Sequence, residues 1–259
     1  MSSNSSGDDK AGMDRRGLLQ TAGAFAATVL APGVTLYAFG GGEAEAHFQA
    51  RPPEDPASPA QRWGLLIDVN KCASGCNACV TACKDYNGWQ DTGRQDVDPQ
   101  WIRKVTLKDP ATGVERAAPV MCQHCASPPC VDVCPTGASM KRADGIVLVN
   151  KHICIGCRYC MMACPFKARS FIHEEETDQK VNNPSGKGTV EGCTLCVDRI
   201  DAGQRPACVE ACAKEGGALI FGDLKDPQSE ISQALRQSPS MKLRADLAVD
   251  PGVQYANLM

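Results

Sequence analysis

Residues 154–165 read Cys154-Ile155-Gly156-Cys157-Arg158-Tyr159-Cys160-Met161-Met162-Ala163-Cys164-Pro165, four cysteines spaced C-x2-C-x2-C-x3-C and closed by a proline. Thiolates at i, i+3 and i+6 can wrap one iron–sulfur cube as a loop, whereas the fourth, at i+10, enters a helix and points away. That fourth thiolate belongs to a second cluster begun by another cysteine group, so the stretch predicts its own partner. Three groups answer to it: Cys72, Cys76, Cys79 and Cys83, spaced x3, x2, x3; Cys122, Cys125, Cys130 and Cys134, spaced x2, x4, x3 and followed by Pro135; and Cys193, Cys196, Cys208 and Cys212, spaced x2, x11, x3. All 16 cysteines are accounted for.

The 259 residues include only 3 Trp, 4 Tyr and 6 Phe, a scarce aromatic core for that length. Cross-links to metal or between side chains must then replace part of the hydrophobic burial. Zinc is one rival, but zinc sites mostly take their ligands as two separated pairs, and a third cysteine two residues further on adds nothing to a tetrahedral site. Disulfides are the other, yet cysteines three apart share one tight loop and rarely pair with each other. The spacing therefore points to [4Fe-4S] clusters, with iron as the only metal, bound through these cysteines. A net charge of −3, from 27 basic and 30 acidic residues, gives no polybasic signal for nucleic acid. With no nucleophile–base pair, phosphate loop or carboxylate pair, the chain reads as a non-catalytic relay rather than an enzyme.

The cysteine groups sit in a chain with a distinct beginning. Asp14-Arg15-Arg16-Gly17-Leu18-Leu19-Gln20 places twin arginines before an uncharged Ala-, Gly- and Thr-rich stretch from Leu18 to Gly42, and Ala44-Glu45-Ala46 is an A-x-A cleavage site. Residues 1–46 resemble a cleaved twin-arginine (Tat) signal, which leaves a mature chain from His47 in the periplasm. A retained anchor is the competing reading. Clusters assembled in the cytoplasm need a route that exports folded protein, which favours Tat. Residues 47–61, rich in Pro and charge, read as a linker. An apolar strand follows from Trp63 to Val69. Trp101–Leu107 and Val114–Met121 read as a hairpin around Asp109-Pro110-Ala111-Thr112-Gly113. Gly145–Val149 makes a short strand, Lys180–Gly188 a surface loop, and Ala218–Phe221 a strand before a turn at Gly222-Asp223. A helix around Ser229–Arg236 precedes an extended tail to Met259. No carboxy-terminal stretch is long and apolar enough to span a bilayer, so the mature protein is expected to be peripheral to the membrane.

Groups two and three are neighbours and form one two-cluster, ferredoxin-like unit over residues 122–175. Cys122, Cys125 and Cys130 take Cys164 for one cluster, and Cys154, Cys157 and Cys160 take Cys134 for the other. By the same exchange Cys72, Cys76 and Cys79 take Cys212, while Cys193, Cys196 and Cys208 take Cys83. The expected fold is α+β, two ferredoxin-like double-cluster units with one inserted in the other, plus short strands and hairpins. Residues 62–121 and 176–225 form the halves of the outer unit, and 226–259 a C-terminal helix and tail. Each fourth cysteine follows the third at i+4, which predicts four helices that each bridge two clusters. Gly75 is expected to absorb the extra residue between Cys72 and Cys76. His124 reads as structural, and Arg158, Tyr159 and Met161 as residues that shield or tune a cluster.

Four cysteine groups in this order and spacing resemble the electron-transfer subunits of dimethyl sulfoxide, polysulfide, thiosulfate and tetrathionate reductases and of hydrogenase-2, over residues 62–225. More narrowly, Cys122–Ser139, Asp144–Phe171, Gly192–Gly203 and Gly217–Pro227 are similar to the DsrO type, the exported iron–sulfur subunit of the DsrMKJOP complex that accompanies dissimilatory sulfite reductase. The resemblance implies four [4Fe-4S] clusters that relay electrons between a quinone-interacting membrane subunit and a cytochrome or other redox subunit in sulfur metabolism. An iron–sulfur subunit of a periplasmic molybdopterin oxidoreductase or hydrogenase is the alternative within the family, and a zinc-stabilised interaction module the alternative outside it.

Overall fold

The computed structural model describes residues 48–94, 96–177 and 179–258; the expected export signal and its cleavage site lie outside them. The apolar run after the Pro-rich segment forms β1 (Trp63–Asp68), in which Trp63, Leu65, Leu66 and Ile67 are all buried. A strand covered on both faces sits inside a sheet. Strand β1 pairs antiparallel with β8 (Leu219–Asp223) and parallel with β10 (Val253–Ala256), and β9 (Ser240–Met241) completes the order β8-β1-β10-β9. Three two-stranded hairpins complete a mixed fold of small sheets. Strands β2 (Ile102–Lys108) and β3 (Glu115–Met121) pair from Ile102↔Met121 to Lys108↔Glu115. Strand β4 (Ser139–Lys141) pairs β5 (Val147–Val149), and β6 (Ser170–Phe171) pairs β7 (Val190–Glu191).

Two of the four expected bridging helices span their cysteine pairs and two stop short. Helix α1 (Ala78–Asn87) carries Cys79 and Cys83 and ends at Gly88, whose φ of 67° supplies a left-handed cap. Helices α2 (Pro129–Asp132) and α3 (Tyr159–Ala163) are single turns that end before Cys134 and Cys164. The reason is local: Pro135 and Pro165 follow those cysteines, and a residue before proline is driven out of the α region. Cys164 accordingly has an extended backbone, φ −75° and ψ 112°. Helix α4 (Val197–Asp201) leads to α5 (Ala207–Glu215), which spans Cys208 and Cys212 without interruption.

Three other segments differ from expectation. Gly222 and Asp223 continue β8 opposite Gly64 and Trp63 instead of turning. A Cβ on Gly222 would lie 2.9 Å from the side chain of Ile231 in α6 (Glu230–Gln237), so glycine lets that helix seat on the sheet; Ser229 caps its start by accepting the Ser232 N–H. The expected linker is tied down: Phe48 packs on Trp63 with ring centroids 4.8 Å apart, and Arg51 pairs with Asp201 at 2.6 Å. The expected surface loop over 180–188 buries Asn183 and Ser185. Asn183 Nδ2 donates to the Asn87 carbonyl at 2.8 Å, and Lys151 Nζ donates to Asn183 Oδ1, Ser185 Oγ and the buried Glu191 carboxylate at 2.8, 3.0 and 3.2 Å. Among the described residues no helix is long and apolar enough to cross a membrane.

Candidate metal centres

Helix α1 packs along α5, which brings groups one and four together. Burial pushes the Cys79 thiol up to about 11, and the thiols of Cys212, Cys72 and Cys76 push the same way. Cys72 is likewise raised, by burial first and then by Cys212 and Cys76 against the opposing charge of Lys104. One turn further along α1, burial raises Cys83 to about 12 with Cys196 adding to it. Burial also lifts Cys208 well above its ordinary value, with the thiols of Cys196, Cys83, Cys193 and Cys79 adding to it. The thiols of groups one and four thus bear on one another along the helix pair: Cys72 and Cys79 with Cys212, Cys83 with Cys196 and Cys208, and Cys79 with Cys208 as well.

Helix α2 packs against α3 in the same manner and brings groups two and three together. One cavity between them is lined by Cys122, Cys125, Cys130 and Cys164, closed by Pro128, Phe166 and Arg169. A second is lined by Cys134, Cys154, Cys157 and Cys160, with Ile155 and Arg158 at its rim. In both, three thiols come from one group and the fourth from the other. Burial raises Cys122 to about 11 and Cys125 to about 12, again with the thiols of the same cavity adding to the effect. Cys134 is the exception. Burial opposes its thiolate, but the Ser139 N–H at 3.3 Å and the Thr136 hydroxyl outweigh that and hold it down.

The donor chemistry fits iron–sulfur clusters. Buried thiols that crowd one another hold their protons, and iron displaces those protons on binding. Among the described residues no three His, Cys, Asp or Glu side chains converge as they would around a single metal ion. A cluster does not require that, since each thiolate binds a different iron. Arg169 also fits: it is a buried cation on the wall of the Cys122 cavity, and no carboxylate among the described residues pairs with it.

Backbone details explain how the ligand loops hold their shape. In the group-one loop, Ser74 and Gly75 form the turn that takes up the extra residue, closed by the Cys76 N–H on the Ala73 carbonyl at 3.2 Å; Gly75 is not left-handed, and a Cβ there would meet nothing. Lys104 of β2 braces that turn, donating its ammonium to the carbonyls of Ala73, Ser74 and Cys76. His124, between two cysteines, has a left-handed φ of 42° and accepts the Val147 N–H through Nδ1 at 3.0 Å, which fastens the loop to β5. Burial, then the charge of Arg169, pushes its pKa down to about 3. Arg158 also adopts a left-handed φ, 64°, and lays its guanidinium over Phe171 at 3.8 Å.

Gly156 is the tightest of these positions. Its φ is 68°, and a Cβ would sit 2.0 Å from the Gly188 carbonyl oxygen. The left-handed backbone alone costs a non-glycine residue about 1–2 kcal/mol, and relief of the clash would have to move backbone. Gly156→Ala is expected to lower the thermal midpoint and displace Cys154 and Cys157. The check is iron content together with melting temperature; a variant with both unchanged would mean that the 188 loop yields freely.

Comparisons with known proteins agree with the donor set. A family model described as a 4Fe-4S dicluster domain matches residues 115–224. The chain is 41% identical over 272 aligned residues to the Hdr-like menaquinol oxidoreductase iron-sulfur subunit 1 of Archaeoglobus fulgidus, across 94% of this chain and 97% of that one. It is 39% identical to a tetrathionate reductase subunit of Salmonella typhimurium, across 83% of this chain and 80% of that one. It is 40% identical to a sulfite dehydrogenase subunit of Allochromatium vinosum, across 74% and 81%.

Proposed function

The chain belongs to the family of iron–sulfur electron-transfer subunits of oxidoreductase complexes, and from that premise we propose that it carries four [4Fe-4S] clusters between a quinone-interacting membrane subunit and a cytochrome or other redox subunit. The observation that carries this reading is the pair of cavities between α2 and α3, each lined by three thiols of one group and one of another, and groups one and four meet in the same way along α1 and α5. The ligand sets proposed on that pattern are Cys72, Cys76, Cys79 and Cys212; Cys83, Cys193, Cys196 and Cys208; Cys122, Cys125, Cys130 and Cys164; and Cys134, Cys154, Cys157 and Cys160. Each bound cluster supplies one-electron transfer. The protein's part is to hold each at fixed distance from the next, keep water from it and set its potential. The two helix pairs, α1 with α5 and α2 with α3, support a plan of two double-cluster units with residues 122–175 inserted between the outer halves 62–121 and 176–225.

The Cys134 set lies nearest solvent: Cys157 is exposed, and Ile153, Ile155, Tyr159 and Met162 stand 48–67% exposed around it. Apolar side chains so placed suit a docked redox partner. The twin-arginine segment and the cofactor together support export through the Tat route, cleavage before His47, and a periplasmic location at the inner membrane through partners. The relative from Archaeoglobus fulgidus, with its menaquinol oxidoreductase name and near-full coverage, favours a DsrO-like place in a DsrMKJP-like membrane complex of sulfur metabolism over the molybdopterin alternative. Subunits that co-purify after mild membrane extraction distinguish the two.

Iron and sulfide analysis tests the cluster count. About sixteen irons per chain and a broad absorbance near 400 nm are expected from four cubes. A value near eight would end the four-cluster reading, and a colourless zinc protein would end the cluster reading altogether.

A further inference from the structure

Arg169 follows Cys164 by five residues and precedes β6, and it is only 7% exposed. A guanidinium so deep is expensive unless an anion compensates it. Its hydrogen-bond partners are neutral as protein groups: Nη2 donates to Cys130 Sγ at 3.4 Å and to Ser139 Oγ at 3.2 Å. Two other buried charges have partners of opposite sign, Asp144 with Arg142 and Glu191 with Lys151. Around Arg169 that part falls to thiols. Burial works to lower its pKa, and the thiols of Cys122, Cys130 and Cys160 more than offset that.

Resting on the cluster assignment above, we propose that Arg169 is the counter-cation of the centre held by Cys122, Cys125, Cys130 and Cys164, and that its fixed charge raises that centre's reduction potential above what the ligands alone would give. Four thiolates around an iron–sulfur core make a net anion, and each electron added makes it more negative. A cation held against a ligand sulfur stabilises the reduced form more than the oxidised one. The position is water-poor, so solvent does little to screen the effect. Arg158 offers the contrast: it lies at the rim of the Cys134 cavity but is exposed and turned onto Phe171. Because Arg169 also acts on Cys160, the neighbouring centre feels the charge more weakly. Arg169 is thus a positioning residue for potential. It gives the inner unit two centres of unequal driving force.

The test compares the wild-type chain with Arg169→Gln, which keeps a donor and removes the charge, and Arg169→Lys, which keeps the charge. Iron is counted first, and midpoint potentials are then read by paramagnetic resonance during mediated redox titration. In Arg169→Gln the midpoint of one inner centre is expected to fall by about 59 mV, a tenfold change in its oxidised-to-reduced ratio for one electron. The other three centres should fall less, and Arg169→Lys should recover most of the loss. Unchanged midpoints in Arg169→Gln, an equal fall at all four centres, or Arg169→Lys as low as Arg169→Gln would overturn the proposal. So would loss of the centre from both variants, which would mark Arg169 as scaffold only. A wild-type chain without iron is a different result, because it defeats the cluster assignment itself.

Discussion

Replacing Cys164 with alanine is expected to empty the centre that contains Cys122, Cys125 and Cys130, while the centre of its own motif, with Cys154, Cys157 and Cys160, stays filled. The expectation follows from where the chain goes after α3. Pro165 ends that helix, and Cys164 turns into the hydrophobic cluster of Cys122, Cys125, Phe166 and Ala168, away from Cys154. About four irons per chain should be lost. The spectrum that disappears should be the one that Cys125→Ala also removes and that Cys157→Ala leaves in place. Metal binding energy in small cluster domains is folding energy, so the melting temperature should fall as well. The reciprocal variant, Cys134→Ala, should empty the other inner centre. If Cys164→Ala erased the signal that Cys157→Ala erases, the exchange of fourth ligands would be refuted.

The proposed exchange is a reading of the cysteine spacing. Four cysteine groups, each closing with x3, require partners, and the number of groups matches the number of partners. The β2–β3 hairpin is equally legible: Asp109-Pro110 and Gly113 mark its turn, and the register runs without a break from it. The Ser229 cap announces α6. What stays hidden depends on a second segment whose approach leaves no local mark. Gly156 looks like any loop glycine until the Gly188 carbonyl is beside it. Lys104 looks like an exposed strand lysine until it reaches the group-one carbonyls. Arg169 is one basic residue in a run of mixed character, and only its burial against Cys130 distinguishes it. The proline effect at Cys134 and Cys164, by contrast, is local and in plain view. There the backbone restriction before proline overrides the helix that the i+4 cysteine spacing suggests.

The carboxy-terminal tail is the part of the fold least legible in the sequence, and removing it is expected to do the most damage. Val253–Ala256 is too short and too mixed to announce a strand; it is one because β1, far away in the chain, accepts it in parallel. Val253, Tyr255 and Ala256 are each 1% exposed. The residues before them hold the group-two ligand loop. Gly252 N–H donates to the Gln123 carbonyl at 2.7 Å, while the carbonyls of Asp250 and Val249 accept the N–H groups of Ala126 and Ser127 at 2.9 and 3.2 Å. Tyr255 Oη donates to the Pro119 carbonyl at 3.1 Å, which secures the end of β3 just before Cys122. Side chains the size of Val253 and Tyr255 contribute about 1.5–3 kcal/mol each on burial. Each backbone bond adds about 0.5–1.5 kcal/mol. Together these come to on the order of 5–10 kcal/mol, most of the net stability of an ordinary domain. A chain ended after Leu247 should therefore not accumulate in folded form. Tyr255→Ala, expected to cost about 3–5 kcal/mol, should fold but give up iron first from the centre containing Cys122 and Cys125. Its iron loss and melting temperature are best measured beside Tyr255→Phe, which keeps the ring and loses only the hydroxyl's bonds to Pro119 and Gln123. A truncated chain that purified with full iron would show that β1 can close its sheet without β10, and that the Cys122 loop needs no support from the tail.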